Sequence, residues 1–288
     1  MGNESLDKKI LCETETADEL EKIEMELLLE AIYRHYGFDF RNYVFSSVQR
    51  IIWHRIQAEK LATVSGLQEK VLHDRQAMKT LVEDFSINVT EMFRDPDFFL
   101  SFRRNVVPLL KEYELILIWH AGCSSGEEVY SMLILLHEEG LLEKTRIYAT
   151  DMNEPILKIA KQGAFPLKRM LLYTKNYLKA GGTRAFSEYY TVKDGQAAFH
   201  SFLCEDVVFA PHNLAVDHSF NEFHVIICRN VMIYFNTKLQ NRVHDLFFES
   251  LIVSGILGLG QKERIAFTSK AGCYEEIDSN EKLYRKIK

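Results

Sequence analysis

The chain has 288 residues, 47% apolar and 26% charged, the balance of a folded protein with room for one large core or two small ones. Its longest apolar runs, LILIWHAGC and SLIVSGILGLG, fall well short of the ~20 residues that span a bilayer, so no membrane insertion is expected. A formal net charge of −6 with no strongly basic domain disfavours nucleic acid, and five scattered cysteines without a C-x-x-C pair argue against a disulfide framework or a metal site.

The chain opens polar and acidic, MGNESLDKKILCETE, without a hydrophobic leader, so a cytoplasmic protein with reduced thiols is expected. Glu13, Glu15, Asp18, Glu19, Glu21, Glu24, Glu26 and Glu30 make the first thirty residues acidic. The sign then reverses through Arg34, Arg41, Arg50, Arg55, Lys60, Lys70, Arg75 and Lys79. Such a reversal marks either a docking face or a solvated helical surface. Three- and four-residue spacing predicts a helix in ELEKIEMELLLEAIYRHYG, with Leu20, Ile23, Leu27, Ile32 and Tyr36 on one side and Gly37 as its stop. SSVQRIIWHRIQAEKL and LQEKVLHDRQAMKTLVEDF predict two further helices. Residues 1–85 are thus expected to form an all-α domain.

Residues 86–288 have a different texture. LILIWHA predicts a strand, the glycine turn of GCSSG follows, and EEVYSMLILL begins a helix. TRIYATD predicts a second strand ending at Asp151. NEPILKIAKQG predicts a helix with Asn153 as N-cap, Pro155 in its first turn and Gly163 past its end. Asp194-Gly195 between two β-rich runs signals a hairpin, in a small antiparallel β subdomain at about 165–205. VVFAPHNL and FHVIICRN predict buried strands, TKLQNRVHDLFFESLI a helix, and GILGLG, IAFTSK and KLYRKIK closing strands. Strands alternating with helices predict an α/β fold with a doubly wound, mostly parallel sheet bearing the β subdomain as an insertion.

GCSSG fits two chemistries. As a G-x-S-x-G elbow, Ser124 would need a later acid and histidine, for which Asp206 with His212 or Asp217 with His218 are available. Neither pair sits in a loop after a final strand, and the elbow has no use for Glu127-Glu128. As a cofactor loop, Gly122 and Gly126 let the backbone approach a ligand, but two carboxylates at the helix start would repel a pyrophosphate. They suit a ligand with positive charge, such as S-adenosylmethionine, and Asp151, about 25 residues on, can take a ribose diol. That combination predicts a Rossmann-like methyltransferase core.

SINVTEMFRDPDFF (86–99), WHAGCSSGEEVYSM (119–132), IYATDMNEPILKIAKQGAF (147–165), VVFAPHNL (207–214) and IICRNVMIYFNTKLQNRV (226–243) resemble CheR, the chemotaxis receptor methyltransferase family, in family order. The resemblance implies methyl transfer from S-adenosylmethionine to receptor glutamates, giving methyl esters and S-adenosylhomocysteine. It implies cofactor contacts at Asn88, Thr90, Arg94, Gly122, Glu128, Asp151, Asn213, Leu214, Arg229 and Asn230. Arg94 and Tyr234 would serve the reacting end. The partner implied is a methyl-accepting chemoreceptor or similar sensor, met by a monomer. A silent binding module on the same fold, or a methyltransferase for another acceptor, is the alternative. The chain departs from the family pattern at Val129, at Met92, and at Gly260-Gln261-Lys262-Glu263, where G-H-S-E is more usual. On the second helix Arg50, His54 and Arg55 are expected to meet an acidic receptor helix, with Ile51, Ile52 and Ile56 turned to the core.

Overall fold

The computed structural model describes residues 3–86, 90–266 and 268–288, with side chains from residue 18 onward. It divides into two units, Met1–Ile87 with Tyr234–Asn236, and Asn88–Ile233 with Thr237–Lys288.

In the first unit, amphipathic spacing becomes α1 (Asn3–Tyr36), α2 (Phe45–Ala58), α3 (Val64–His73) and α4 (Arg75–Phe85). Val48, Ile51, Ile52 and Ile56 of α2 are buried with Leu67 and Val71 of α3 and Leu81 and Phe85 of α4. Phe40 stacks on Phe85 at 3.9 Å. Each such side chain removed from water contributes about 1.5–3 kcal/mol. Two expectations change here. The α1 core face is Met25, Leu28, Leu29 and Ile32, while Leu20, Ile23 and Leu27 are 58%, 48% and 56% exposed. Three consecutive leucines at 27–29 allow either of two helical stripes, and tertiary packing takes the second. The expected helix LQEKVLHDRQAMKTLVEDF is broken at Asp74, whose extended backbone and side chain cap α4 through the Gln76 N–H at 2.8 Å. Tyr234–Asn236 completes this unit. The Val44 N–H donates to the Tyr234 carbonyl at 2.9 Å, and Tyr43 bridges Phe235 with rings 4.9 Å apart.

The second unit opens with α5 (Pro96–Ser101) and α6 (Val107–Leu110), then alternates β1 (Ile116–Ala121), α7 (Glu127–Glu138), β2 (Thr145–Asp151) and α8 (Glu154–Gln162). The inserted part carries β3 (Ala164–Pro166), α9 (Met170–Lys179), β4 (Tyr190–Lys193) and β5 (Gln196–Phe199). Then come β6 (Val207–Pro211), β7 (Phe223–Cys228), α10 (Thr237–Ser250), β8 (Leu251–Leu259), β9 (Tyr274–Asp278) and β10 (Leu283–Lys286). Among the described residues the main sheet runs β6-β2-β1-β7-β8-β10-β9, and the small one β3-β5-β4. β6, β2, β1, β7 and β8 pair in parallel; β10 is antiparallel to both its neighbours. β1 and β7 are buried almost throughout, as a strand covered by helices on both faces must be. The order reverses between β1 and β7, so their carboxyl ends diverge into a crevice, where ligands of open α/β sheets bind.

Asn153 caps α8 by accepting the Ile156 N–H, and Gly163 ends it at φ +61°. Asp194 and Gly195, both left-handed, turn the β4–β5 hairpin. The described residues of IAFTSK form no strand. The edge strand expected there is β9, starting at Tyr274. Among the described residues no helix is long and apolar enough to cross a membrane.

Candidate active site

β1 ends at Ala121, opposite Thr150 of β2, and the loop that follows turns back on that partner. The Gly122 and Cys123 N–H groups both donate to the Thr150 carbonyl, at 2.8 and 2.9 Å. Gly122 has φ +82°, and a Cβ there would lie 2.5 Å from Val231 Cγ2; at Gly126, φ +94°, it would lie 3.0 Å from Ala160 Cβ. Glycine is therefore required twice, by backbone conformation and by close packing. Ser124 between them is also left-handed, at φ 51°.

Ser124 belongs to the glycine loop. Its N–H donates to Asp151 Oδ2 at 2.9 Å. Of the acids a hydrolase would need, Asp217 caps the Asn213 N–H at 2.7 Å and Asp206 faces Arg146 at 3.6 Å.

Asp151, at the carboxyl end of β2, is buried. Its Oδ1 accepts the Asn153 N–H at 3.0 Å. Burial pushes its carboxyl pKa up, against the pull of these backbone donors. A carboxylate has about four lone-pair sites, and the Ser124, Asn153 and Met152 backbone donors leave about one to accept a hydroxyl group.

Glu128, in the first turn of α7, anchors a chain of charges. Its Oε1 meets His120 Nδ1 at 3.1 Å, and its Oε2 accepts from Arg229 NH1 at 2.8 Å. Burial alone would raise its pKa, but His120 and Arg229 outweigh that and hold the carboxyl below the usual range. Arg229 also donates to Asp95 Oδ2 at 2.8 Å and to the Arg94 carbonyl at 3.0 Å, with its guanidinium 4.2 Å from the Phe98 ring. One buried cation thus ties the end of β7 to the start of α7 and to the Phe93–Asp95 segment. Phe93, Asp95 and Asn230 all have positive φ. Such strain persists only where surroundings over-determine it, and it clusters at functional sites.

The neighbouring Glu127 faces elsewhere. It is buried, accepts from Ser125 Oγ at 2.6 Å, and lies 3.7 Å from Arg169; burial raises its pKa. Arg169 also donates to the Thr90 carbonyl at 3.2 Å.

The second unit therefore brings several of the expected residues to the carboxyl edge of its sheet. Gly122 and Glu128 follow β1, Asp151 ends β2, Asn213 and Leu214 follow β6, and Arg229 and Asn230 follow β7. Arg94 joins them through its carbonyl. Asn213 shapes its own turn, its side chain accepting the Ala215 N–H at 3.0 Å. Asn88 lies outside the described residues. Tyr234 packs with the helical unit.

On α2, Arg50 and His54 are exposed and Ile51, Ile52 and Ile56 buried. Arg55 departs from expectation. Its guanidinium makes a two-pronged pair with Asp84, at 2.6 and 2.7 Å, and its side chain is 12% exposed. Helical position alone could not show that α4 supplies it an acid.

His120 went unnoticed as a site residue in the sequence. The signal was there: a histidine one residue from the end of an apolar strand, eight before a glutamate. Its Nε2 is buried without a protein partner, as is Arg229 Nε.

Carboxylates where a dinucleotide fold would present bare amides, on a doubly wound sheet with one antiparallel strand near its edge, define a Rossmann-like methyltransferase that takes S-adenosylmethionine. Among known proteins, the family described as CheR methyltransferase, SAM binding domain, matches residues 88–282, and its all-alpha domain matches 23–86. The chain belongs to the CheR methyltransferase family. The protein Cher3 of Pseudomonas putida is 49% identical over 271 residues, covering 94% of this chain and 99% of that one. The chemotaxis protein methyltransferase of Borreliella burgdorferi is 29% identical over 266 residues, 85% of this chain and 89% of its own. That of Listeria innocua is 27% identical over 236 residues, 81% and 87%.

Proposed function

We propose that this methyltransferase esterifies glutamate side chains of a chemoreceptor-type signalling protein, acting as a cytoplasmic monomer. The relatives named chemotaxis protein methyltransferase support the class of acceptor. The observation that carries the reading is the Arg229 brace, which holds the Arg94 segment beside Glu128.

The donor set fits the cofactor. Asp151 has about one lone-pair site left for a ribose hydroxyl, and Glu128 offers negative charge toward a cationic amino-acid end. Thr90, Gly122, Asn213, Leu214, Arg229 and Asn230 complete the expected seat, with Asn88. When bound, S-adenosylmethionine supplies a methyl group activated by its sulfonium. The acceptor glutamate, with a reference pKa of about 4.3, is already ionised near neutral pH, so the chain need not supply a base. Its residues instead align the acceptor and exclude water, and alignment of this kind can contribute roughly 7–11 kcal/mol. Arg94 would orient the acceptor carboxylate. Arg50 and His54 remain as the docking face for an acidic receptor helix; Arg55, already paired, leaves it.

The test is incubation with tritiated S-adenosylmethionine and membranes carrying candidate receptors, followed by alkali. Esters release volatile methanol, whereas label that stays on protein would defeat the glutamate assignment. Asp151→Ala should weaken S-adenosylhomocysteine binding by about 1.5–3 kcal/mol in calorimetry.

A further inference from the structure

We infer that Glu263 is a positioning residue for the cofactor, its carboxylate building the Arg229–Met232 turn and holding it on the glycine loop. Its Oε1 accepts the N–H groups of Val231 and Met232 at 2.9 and 2.8 Å. Its Oε2 accepts those of Asn230 and Gly260 at 3.0 and 2.7 Å. The residue is 4% exposed, and four donors use the lone pairs of one carboxylate.

What it builds is not otherwise a comfortable turn. Asn230 sits at φ 62°, in the left-handed region that is uncommon outside glycine though asparagine reaches it more readily than most side chains. The next residue, Val231, fills the space where a Gly122 Cβ would stand, so the turn and the glycine loop fix each other's position. Gly260 belongs to the same device. A Cβ there would come within 2.7 Å of Glu263 Oε2 and 2.9 Å of the Asn230 nitrogen. The pattern Gly260-x-x-Glu263 is therefore one unit, with the glycine admitting the turn and the glutamate capping it. Gln261 and Lys262, where the sequence departs from the more usual pattern, are exposed and take no part in these bonds.

Capping by a carboxylate is specific chemistry. In Glu263→Gln one oxygen becomes an amide NH2 facing two N–H donors, so two of the four bonds give way to donor–donor contact. Glu263→Asp keeps the charge but is one methylene short. The inference rests on the reading that Arg229 and Asn230 border the cofactor.

The experiment combines calorimetry of S-adenosylhomocysteine with backbone amide spectra of 15N-labelled protein, ligand-free. In Glu263→Gln the amide proton signals of Asn230, Val231 and Met232 should move upfield as their charge-assisted bonds are lost. The dissociation constant should rise about 10- to 100-fold, the range of one or two hydrogen bonds to a charged group. Glu263→Asp should recover part of both, and it carries the test alone if the amide variant does not fold. Amides that stay in place, or affinity within twofold of wild type once they have moved, overturn the inference while leaving the cofactor site standing. Wild-type protein that binds no S-adenosylhomocysteine removes both.

Discussion

The two ends of α7 bury carboxylates beside arginine in quite different ways. At its closing end, Glu138 pairs with Arg103 and accepts hydroxyl bonds from Tyr177 and Tyr189 and the Thr183 N–H; its side chain is 1% exposed. Arg103 also meets Glu139 at 2.9 Å and the Ala180 carbonyl at 3.1 Å. The polar groups there answer one another, and α7 is pinned to the inserted subdomain. At its opening end Glu128 is also paired, yet its partners His120 and Arg229 each keep a buried nitrogen without a protein partner. The backbone around them is left-handed at Ser124, Phe93, Asp95 and Asn230. Saturation marks the structural cluster, and strain with spare hydrogen-bonding capacity marks the working one.

Substitutions can break that contrast. Glu138→Ala leaves Arg103 in the interior with only Glu139 for an acid, and should cost about 3–5 kcal/mol of stability in urea unfolding. Cofactor affinity of the folded fraction should be unchanged; if it falls in step, the two ends are one site. Glu128→Gln should do the reverse. Calorimetry should show a loss of about 1.5–3 kcal/mol in S-adenosylhomocysteine binding. Its melting temperature should fall less than that of Glu138→Ala, and intact affinity would strip Glu128 of its role.

The same rule separates two arginines of α2. Arg55→Ala, which breaks the pair with Asp84, should lower stability by about 1–2 kcal/mol and leave receptor KM alone. Arg50→Glu should leave the melt unchanged and raise receptor KM, more so at low salt. Identical kinetics for the two variants would remove α2 as a docking face.

The smallest effect belongs to Glu127. Burial lifts its folded pKa above the unfolded value of about 4.3, so the folded chain holds that proton longer. Its contribution to stability is complete below that unfolded value and is lost as pH rises through the raised one. Glu127→Gln, which mimics the protonated side chain, should therefore gain on wild type by on the order of 1 kcal/mol or less at pH 8 and nothing at pH 4. Melts that differ equally at both pH values would show that ionisation of Glu127 costs nothing.

Sequence carried the second unit further than the first. Asn153, Gly163 and Asp194-Gly195 announce their turns because cap and hairpin chemistry is local. Gly122, Glu128 and Asp151 were legible because strand–turn–helix spacing alone brings them to one sheet edge. Leu20 and Leu27 misled because the choice between two apolar stripes on α1 is made by its neighbours. Arg55, His120 and Glu263 depend on partners 29, 8 and up to 33 positions away. No periodicity reports such pairings.

Tyr234–Asn236 has a consequence during synthesis. The helices of the first unit are made before the segment that completes it: the Val44 N–H and the Tyr43 bridge meet Tyr234–Asn236, about 150 residues beyond the last of them. At about 5–20 residues per second that interval is on the order of ten seconds. Through it the Val44 N–H waits for its carbonyl, and the last touches to the helical unit come only when β7 has been made.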